Sequence, residues 1–249
     1  MKGEVILLLS YFESRLRLKL SNFEDIEQKL NFCRDLGINN LILEFESGEN
    51  KIIPELKEKI SRFTAFKIYY RTTIKPKNLD DLKKRLKQTK NISNITSVES
   101  PDRKVQIQAA KDSRVDIISF SDEKIIKTLT PGVISLTKQN NSFIEFSLGP
   151  IMVKNKAIQS RFLRSLYRAL QLAILLNANY IISGNFDDVF KLRHPRALIS
   201  ISHTLLDISL VNAKKAFSDN VITLINRAKM RQDKNYIESG VKLINRGDG

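Results

Sequence analysis

Residues 115–147 read VDIISFSDEKIIKTLTPGVISLTKQNNSFIEFS. Two apolar runs, 115–120 and 142–147, enclose a stretch in which Thr130-Pro131 marks a helix start, because proline at a first helical position loses no hydrogen bond. Neither run alternates cleanly between apolar and polar residues, which is typical of parallel strands buried on both faces. The stretch therefore predicts one strand–helix–strand unit of a parallel sheet.

The same unit recurs along the chain. Further strands are predicted at 5–9, 40–45, 66–71, 92–98 and 180–183, and the longest helix at 156–177. After residue 183 the rhythm fades: 188–192 is at most a weak eighth strand, and helical patterns follow at 195–206, 209–217 and 220–232. We predict an α/β fold, an irregular TIM-like barrel of about seven good parallel strands plus a degraded eighth, with extra C-terminal helices. An open doubly wound sheet is the alternative.

The chain of 249 residues has a length typical of one barrel domain. We predict a single domain over 1–232 and a weakly ordered polar tail over 233–249. Cys33 stands alone, which excludes an internal disulfide, and we expect it in the core. The apolar run 5–9 is short and reads as a strand rather than a signal peptide. No apolar stretch approaches the ~18 residues of a membrane span.

Several helix starts carry capping residues. Ser21 and Glu24 have the spacing of a capping box, in which each side chain bonds the backbone of the other residue. Asn78 precedes a basic helical stretch, and proline follows Ser100 and His194 at two further predicted helix starts.

The net charge of +15 is unevenly distributed. Residues 71–114 hold 12 basic and 5 acidic residues, and residues 150–249 hold 16 and 7. This surplus indicates a polyanionic partner, either nucleic acid or a membrane surface. Since the chain shows no amphipathic anchor with a basic face and bulky aromatics, the membrane is the poorer choice.

The best candidates for phosphate contacts lie on two predicted helices. Arg103, Lys104, Lys111 and Arg114 precede the strand at 115–120, and we favour structured RNA over sequence-specific DNA as their partner. Arg161 and Arg164 begin a basic stripe on the longest helix, which is equally typical of a solvated helix face. His194 either contacts RNA or caps the helix that follows it.

The sequence offers little for catalysis by the chain itself. It contains no Walker loop, nucleophile elbow or H-E-x-x-H motif, and only two histidines. A polynuclear transition-metal centre is nearly excluded by this shortage of ligands. Glu44, Glu46 and Glu99 at predicted strand ends could hold magnesium, but the simpler interpretation is that they pair with Arg71 or are solvated. We predict no catalytic and no metal-binding residue.

In its second half the chain resembles a known family, ribonuclease P protein component 3, the roughly 30-kDa subunit of archaeal and eukaryotic ribonuclease P. The resemblance covers about residues 4–230 and is weakest before residue 65. It rests on an ordered set of stretches: VDIISF at 115–120, IEFSLGPI at 144–151, Ser160-Arg161 with Arg164, IISG at 181–184, KLRHPRAL at 191–198, AKKAFS at 213–218 and INR at 225–227.

The resemblance implies a TIM-like barrel without the metal centre of related phosphoesterases. It implies a non-catalytic protein subunit of an endoribonuclease, in which the RNA removes the 5′ leader of precursor tRNA with magnesium that the RNA holds. The protein is expected to bind no cofactor of its own. Its implied partners are ribonuclease P RNA, ribonuclease P protein component 2 and other subunits, and indirectly precursor tRNA.

The resemblance also places RNA contacts near the fourth and fifth strands, which here means Arg103, Lys104, Lys111 and Arg114, with Arg71 nearby. The location it implies is cytoplasmic in an archaeon and nuclear in a eukaryote. Two alternatives stay open: a stand-alone magnesium-dependent barrel hydrolase, and a generic binder of structured RNA or duplexes.

Overall fold

The computed structural model of the protein describes residues 10–45, 54–63, 66–88, 95–232, 236–238 and 241–242. Within these ranges one parallel sheet contains β1 (Phe12–Leu18), β2 (Asn40–Phe45), β3 (Lys67–Ile74), β4 (Ile95–Val98), β5 (Ile117–Phe120), β6 (Phe143–Ser147) and β7 (Tyr180–Ser183), in that order. The helices are α1 (Phe23–Asp35), α2 (Pro54–Ser61), α3 (Leu79–Gln88), α4 (Arg103–Lys111), α5 (Glu123–Ile126), α6 (Pro131–Gln139), α7 (Lys156–Leu175), α8 (Pro195–Thr204), α9 (Leu210–Ala216) and α10 (Asp219–Gln232).

The sheet curls until its two edges nearly meet. The Arg17 amide donates to the Phe186 carbonyl at 2.8 Å, and Leu16 forms a parallel bridge with Phe186. The Ser14 hydroxyl donates to the Ile182 carbonyl at 3.4 Å. The predicted α/β barrel is therefore confirmed, and the open doubly wound alternative is wrong. The predicted eighth strand at 188–192 is also wrong, because Val189–Lys191 is a 3₁₀ turn. In place of an eighth strand, the single bridge from Phe186 to Leu16 links the segment after β7 to β1.

The strand predictions agree with the structure at β2 and β7 and differ by one to three residues at the ends of β3, β5 and β6. At β4 the predicted end at residue 98 agrees, and the predicted residues 92–94 lie outside the described residues. The predicted strand at 5–9 lies outside the described residues. The sequence pattern missed β1, whose segment FESRLRL is almost entirely buried although it contains four polar residues. Its charged residues Glu13, Arg15 and Arg17 interrupt the apolar run that the other strands carry.

Two apolar clusters hold the barrel together. The larger one lies between the sheet and the surrounding helices and contains Cys33, as expected. The smaller one lies inside the barrel, where residues near the strand starts meet α10: Phe12, Ile42, Ile95, Ile117, Phe143 and Ile181 pack with Val221, Leu224, Ile225 and Ala228. Because α10 packs against residues near the strand starts, it closes the amino-terminal end of the barrel. The polar part of the interior lies nearer the carboxyl-terminal end.

The helix caps match the sequence in part. Asn78 caps α3, with its Oδ1 2.9 Å from the Asp81 amide, and Thr130 caps α6. The capping box at Ser21 is wrong, because Asn22 accepts from the Asp25 amide instead. At α4 the cap is Asp102, two residues beyond Ser100.

The predicted helix at 156–177 is confirmed as α7, and the three late helices as α8, α9 and α10. Within the predicted tail 233–249, the described residues pair as two short antiparallel strands, β8 (Tyr236–Glu238) and β9 (Val241–Lys242). The polar composition of this stretch did not indicate them.

Candidate nucleic-acid interface

The barrel interior holds a network of buried charges, which we call the interior network: Arg15, Glu44, Arg71, Glu99 and Glu145. Arg15 donates through Nε to Glu44 Oε2 at 2.7 Å and through Nη2 to Glu44 Oε1 at 3.1 Å. Arg71 donates through Nη1 and Nη2 to the two oxygens of Glu145, at 2.7 and 2.9 Å. Both contacts are two-point pairs of guanidinium and carboxylate, the strongest geometry that such groups form.

Hydroxyls and further charges complete the interior network. Ser119 donates to Glu145 Oε2 at 2.6 Å and accepts from Arg15 Nη1 at 3.0 Å. Arg15 Nη2 also lies 2.8 Å from Glu99 Oε2. Each carboxylate of the interior network thus lies within ion-pair distance of an arginine, which offsets the cost of burying its charge.

The arginines control the ionisation of these acids. Burial alone would raise the pKa of Glu145, but the Arg71 and Arg15 guanidiniums outweigh it and hold the pKa at about 2. At Glu99, burial would raise the pKa, but Arg15 and Lys75 lower it to about 2. Burial would also raise the pKa of Glu44, but Arg15 and Arg71 hold it below its usual value. Carboxylates held in this way are poor proton donors and acceptors near neutral pH.

Glu13 behaves in the opposite way. Its Oε1 accepts from the Arg15 amide at 3.1 Å and from the Gly184 amide at 3.0 Å. Its Oε2 is buried with no hydrogen-bond partner among the described residues. Burial raises the pKa of Glu13 to about 7, although those backbone amides oppose the shift. Glu13 is thus a buried acid with a pKa near neutral pH.

A separate ion cluster fastens α10 to the amino-terminal end of the barrel. Asp116 is fully buried and pairs with Arg227 and with Arg231, whose Nη2 is 2.7 Å from Asp116 Oδ2. The Thr96 amide donates to the same carboxylate at 2.8 Å. These contacts are structural, since they connect α10 to β4 and to the start of β5.

Exposed cations gather outside the barrel on α4, α5 and α7. This basic surface consists of Arg103, Lys104, Lys127, Arg161, Arg164 and Arg168. The last four line a shallow depression of about 170 Å³ together with Ser165. Gln106 Nε2 donates to Thr128 Oγ1 at 2.6 Å, which ties α4 to the end of α5 beside that depression.

Most of the basic surface lacks internal neutralisation. Glu123 contacts Lys127 at 2.6 Å and lies 3.9 Å from Arg161. Across the described ranges, the other four cations have no carboxylate within ion-pair distance. Two of these unpaired cations, Arg164 and Arg168, line the depression, and cations grouped in this way can bind phosphates.

Comparison with known proteins identifies the family. A sequence model of the family described as RNase P subunit p30 matches residues 13–233. The chain belongs to this family. Ribonuclease P protein component 3 of Methanococcus maripaludis strain S2 is 22% identical over 180 residues, covering 72% of this chain and 76% of that protein. The strain C5 protein of that name is 24% identical over 218 residues, covering 87% and 86%.

The fold of this p30-family chain also matches a solved structure. A chain from a cryo-EM structure of archaeal ribonuclease P with mature tRNA superposes with a TM-score of 0.75 and 18% sequence identity. The match covers 90% of this chain and 96% of that chain. At this identity the likeness concerns the fold. The resemblance drawn from the sequence motifs is confirmed by the family match.

The structure separates the residues that the sequence singled out as RNA contacts. Arg103 and Lys104 are exposed at the carboxyl-terminal end of the barrel, where α4 begins. Lys111 is exposed at the other end of α4, roughly 12 Å away at 1.5 Å per residue. Arg114 pairs at 2.7 Å with Asp112. The predicted cluster is thus divided between two ends of the barrel.

The remaining candidates of this p30-family protein differ in accessibility. Arg71 is buried and belongs to the interior network, so its charge does not reach the surface. Arg161 and Arg164 lie on the basic surface. His194 caps α8, with its Nδ1 accepting from the Arg196 amide at 3.1 Å, and is otherwise exposed. The capping role of His194 is confirmed, and an RNA contact by its ring stays a prediction.

The candidate strand-end acids also have defined surroundings. The prediction that they pair with Arg71 is confirmed for Glu44, while Glu99 pairs with Arg15 and Lys75. Glu46 lies outside the described residues. Among the residues that the structure describes, no group of three or more His, Cys, Asp or Glu side chains could hold a metal ion. In the same ranges no helix is long and apolar enough to cross a membrane.

Sequence reasoning missed Glu13, Arg15 and Glu145, three buried charges of the barrel strands. The available signal was the placement of charges inside otherwise strand-like segments, FESRLRL and FIEFS. Two charges of opposite sign in such segments indicate a buried ion pair across strands.

Proposed function

We propose that this chain is an RNA-binding protein subunit of ribonuclease P, which supports the RNA in removing the 5′ leader from precursor tRNA. The family match over residues 13–233 is the observation that carries the proposal. The basic surface supplies the physical means of binding, because its cations can replace counterions along an RNA backbone.

The proposed mechanism is electrostatic and conformational. Phosphates approach one another in a compact RNA, and cations placed between them reduce their repulsion. If the basic surface binds the active RNA fold more tightly than other folds, the chain shifts the RNA toward the active fold by that difference in affinity. Magnesium ions held by the RNA supply the chemistry, activating water and stabilising the leaving oxygen.

The proposal assigns no catalytic group to the protein. The acids that a stand-alone hydrolase needs, Glu44 and Glu99, are engaged by guanidinium and ammonium groups at 2.7 to 2.8 Å. Those cations would have to leave before the carboxylates could bind magnesium or take up a proton. This pairing argues against the alternative of a magnesium-dependent hydrolase and supports a non-catalytic role.

The proposal includes protein partners. We propose that the chain pairs with ribonuclease P protein component 2 and joins other subunits around ribonuclease P RNA, while it meets precursor tRNA through the assembled particle. The solved relative comes from archaeal ribonuclease P with mature tRNA, which supports this setting. Since the relatives above are archaeal, we propose the cytoplasmic location expected for an archaeon.

An omission assay tests the proposed function. Precursor tRNA is incubated in magnesium with the cognate ribonuclease P RNA, component 2 and this chain, and each component is left out in turn. We expect cleavage at the 5′ leader to need the RNA and to fall when this chain is omitted. Cleavage by this chain alone would contradict the proposal and favour a protein-based active site. Cleavage that does not change on omission of the chain would show that it plays no part in the reaction.

A further inference from the structure

Phe190 is the most exposed large apolar side chain in the part of the protein that the structure describes. Its exposed fraction is 83%, against 76% for Leu175 and 61% for Val211. It lies in the 3₁₀ turn Val189–Lys191, between β7 and α8 at the carboxyl-terminal end of the barrel. A phenyl ring left in water gives up the stabilisation that burial would bring.

The backbone around Phe190 is held from both sides. The Phe190 amide donates to Asp188 Oδ1 at 3.0 Å. Arg193 Nη1 donates to the Phe190 carbonyl at 2.6 Å and to the Leu192 carbonyl at 2.8 Å. Leu192 is buried in the core and anchors the end of the turn. The ring is therefore presented to solvent by a fixed turn, which reduces the ordering that a bound partner has to impose.

The chain on either side of Phe190 is charged and not apolar. Asp188 is engaged in capping the turn, and Asp187 pairs with Lys191 at 2.7 Å. Val189 packs against the core and Leu192 is buried, so the apolar surface does not extend along the chain in either direction. Arg193 and Arg196 are exposed, and within the described ranges neither has a carboxylate partner. The core of a protein interface needs contiguous apolar area. A single exposed ring that is followed in the chain by two exposed arginines without a described carboxylate partner instead matches the contact of an unpaired base with its phosphates.

We propose that Phe190 is a stacking platform for an unpaired base of the bound RNA, and that Arg193 and Arg196 contact the adjoining phosphates. This inference rests on the proposed function and adds a single-stranded contact to the phosphate contacts of the basic surface. Stacking on an aromatic ring tolerates any base, because every base has a π face. The site therefore selects unpaired nucleotides without selecting their sequence.

The first test compares RNA affinities of the full-length protein and its variants. The probes are the cognate ribonuclease P RNA, an oligouridine strand and an RNA duplex of equal length. We expect Phe190→Ala to weaken binding of the first two probes by about 5- to 100-fold and to leave duplex binding unchanged. Because stacking displaces no counterions, the slope of log affinity against log salt should stay the same. Leu175→Ala, at a comparably exposed residue, is the matched control and should change nothing.

A second test detects stacking directly, by fluorescence quenching. The chain contains no tryptophan, so Phe190→Trp places the chain's single tryptophan on the turn, where it can be excited selectively over the tyrosines. We expect this variant to bind oligouridine at least as tightly as the wild type, and its fluorescence to be quenched by the stacked base. Leu175→Trp should not be quenched.

The outcomes separate this inference from the proposed function. If the wild type binds the RNA probes but Phe190→Ala binds them equally well and Phe190→Trp is not quenched, the stacking site is refuted while the proposed function stands. If the wild type binds none of the probes, the RNA-binding function itself fails and the stacking site with it. If Phe190→Ala binds RNA normally but no longer binds component 2, the ring is a protein contact and the inference is overturned.

Discussion

The interior network and the basic surface use the same kinds of side chain with opposite results. Inside the barrel, Arg15 and Arg71 each meet carboxylates at hydrogen-bond distance and have almost no exposed surface. On the basic surface, Arg164 and Arg168 are exposed and meet no carboxylate in the described ranges. The arginines of the interior network are neutralised by carboxylates of the same chain, whereas the charges of the basic surface remain available to a partner.

This difference shows that net charge alone does not locate a binding surface. Arg71 belongs to the basic block 71–114 in sequence, yet its charge is cancelled by Glu145, a residue 74 positions away. Removing a charge from the interior network should therefore act on folding, whereas removing one from the basic surface should act on binding. The predictions below test that division, beginning with the largest expected effect.

Breaking the interior network should cost the most. Arg71→Ala leaves the Glu145 carboxylate buried without its main partner, and we expect a loss of about 3–5 kcal/mol in the free energy of unfolding, measured in urea. Arg164→Ala on the basic surface is the control and should stay within about 0.5 kcal/mol of the wild type. The double variant Arg71→Met with Glu145→Leu should recover much of the loss, since it removes both charges. A single variant as stable as the wild type would show that the pair does not support the fold.

Glu13 provides a pH-dependent test of the same interior. Its pKa is raised from 4.5 to about 7 by burial, so the folded state holds the proton more tightly than the unfolded state. The protonated side chain thus contributes stability that is complete below pH 4.5 and is lost as pH rises through 7. Glu13→Gln mimics the protonated form, and we expect it to exceed the wild type by up to about 3 kcal/mol at pH 8.

The comparison at pH 4.5 is the control for Glu13→Gln. There the wild-type carboxyl is protonated in the folded state, so the two proteins should differ little in their free energy of unfolding. Other titrating groups are common to both proteins and cancel in the difference. An advantage of equal size at both pH values would assign the effect to packing and would contradict the role of ionisation.

The basic surface should respond through the salt dependence of RNA binding. Arg103→Ala with Lys104→Ala is expected to weaken binding and to lower the slope of log affinity against log salt by up to ~2. Lys83→Ala with Lys84→Ala removes the same charge from the exposed face of α3 and is the matched control. If both double variants change the slope equally, binding depends on total charge and the basic surface has no special role.

The sequence predicted the barrel better than the site, for physical reasons. Parallel strands buried on both faces carry apolar runs, and six of the predicted strands correspond to β2 to β7. β1 was missed because the charged residues Glu13 and Arg15 interrupt any such run. Among the candidate contacts, the pattern marked Arg71 as basic but could not reveal Glu145, because ion pairs across a barrel leave no spacing signal. Local contacts were predicted in part: the cap at Asn78 was predicted correctly, capping was one of the two roles expected for His194, and the capping box at Ser21 was wrong.

Substitution of His194 has the smallest expected effect on stability. It distinguishes the role of this side chain in capping α8 from a role in binding RNA. Its Nδ1 caps α8 by accepting from the Arg196 amide at 3.1 Å, so His194→Ala should cost on the order of 1 kcal/mol of unfolding free energy. His194→Asn supplies an equivalent cap and should keep the wild-type stability. RNA affinity of the asparagine variant then isolates the imidazole, because the cap is intact. Weaker binding by this variant would add His194 to the contacts made beside Phe190, and wild-type affinity would leave the ring with its capping role alone.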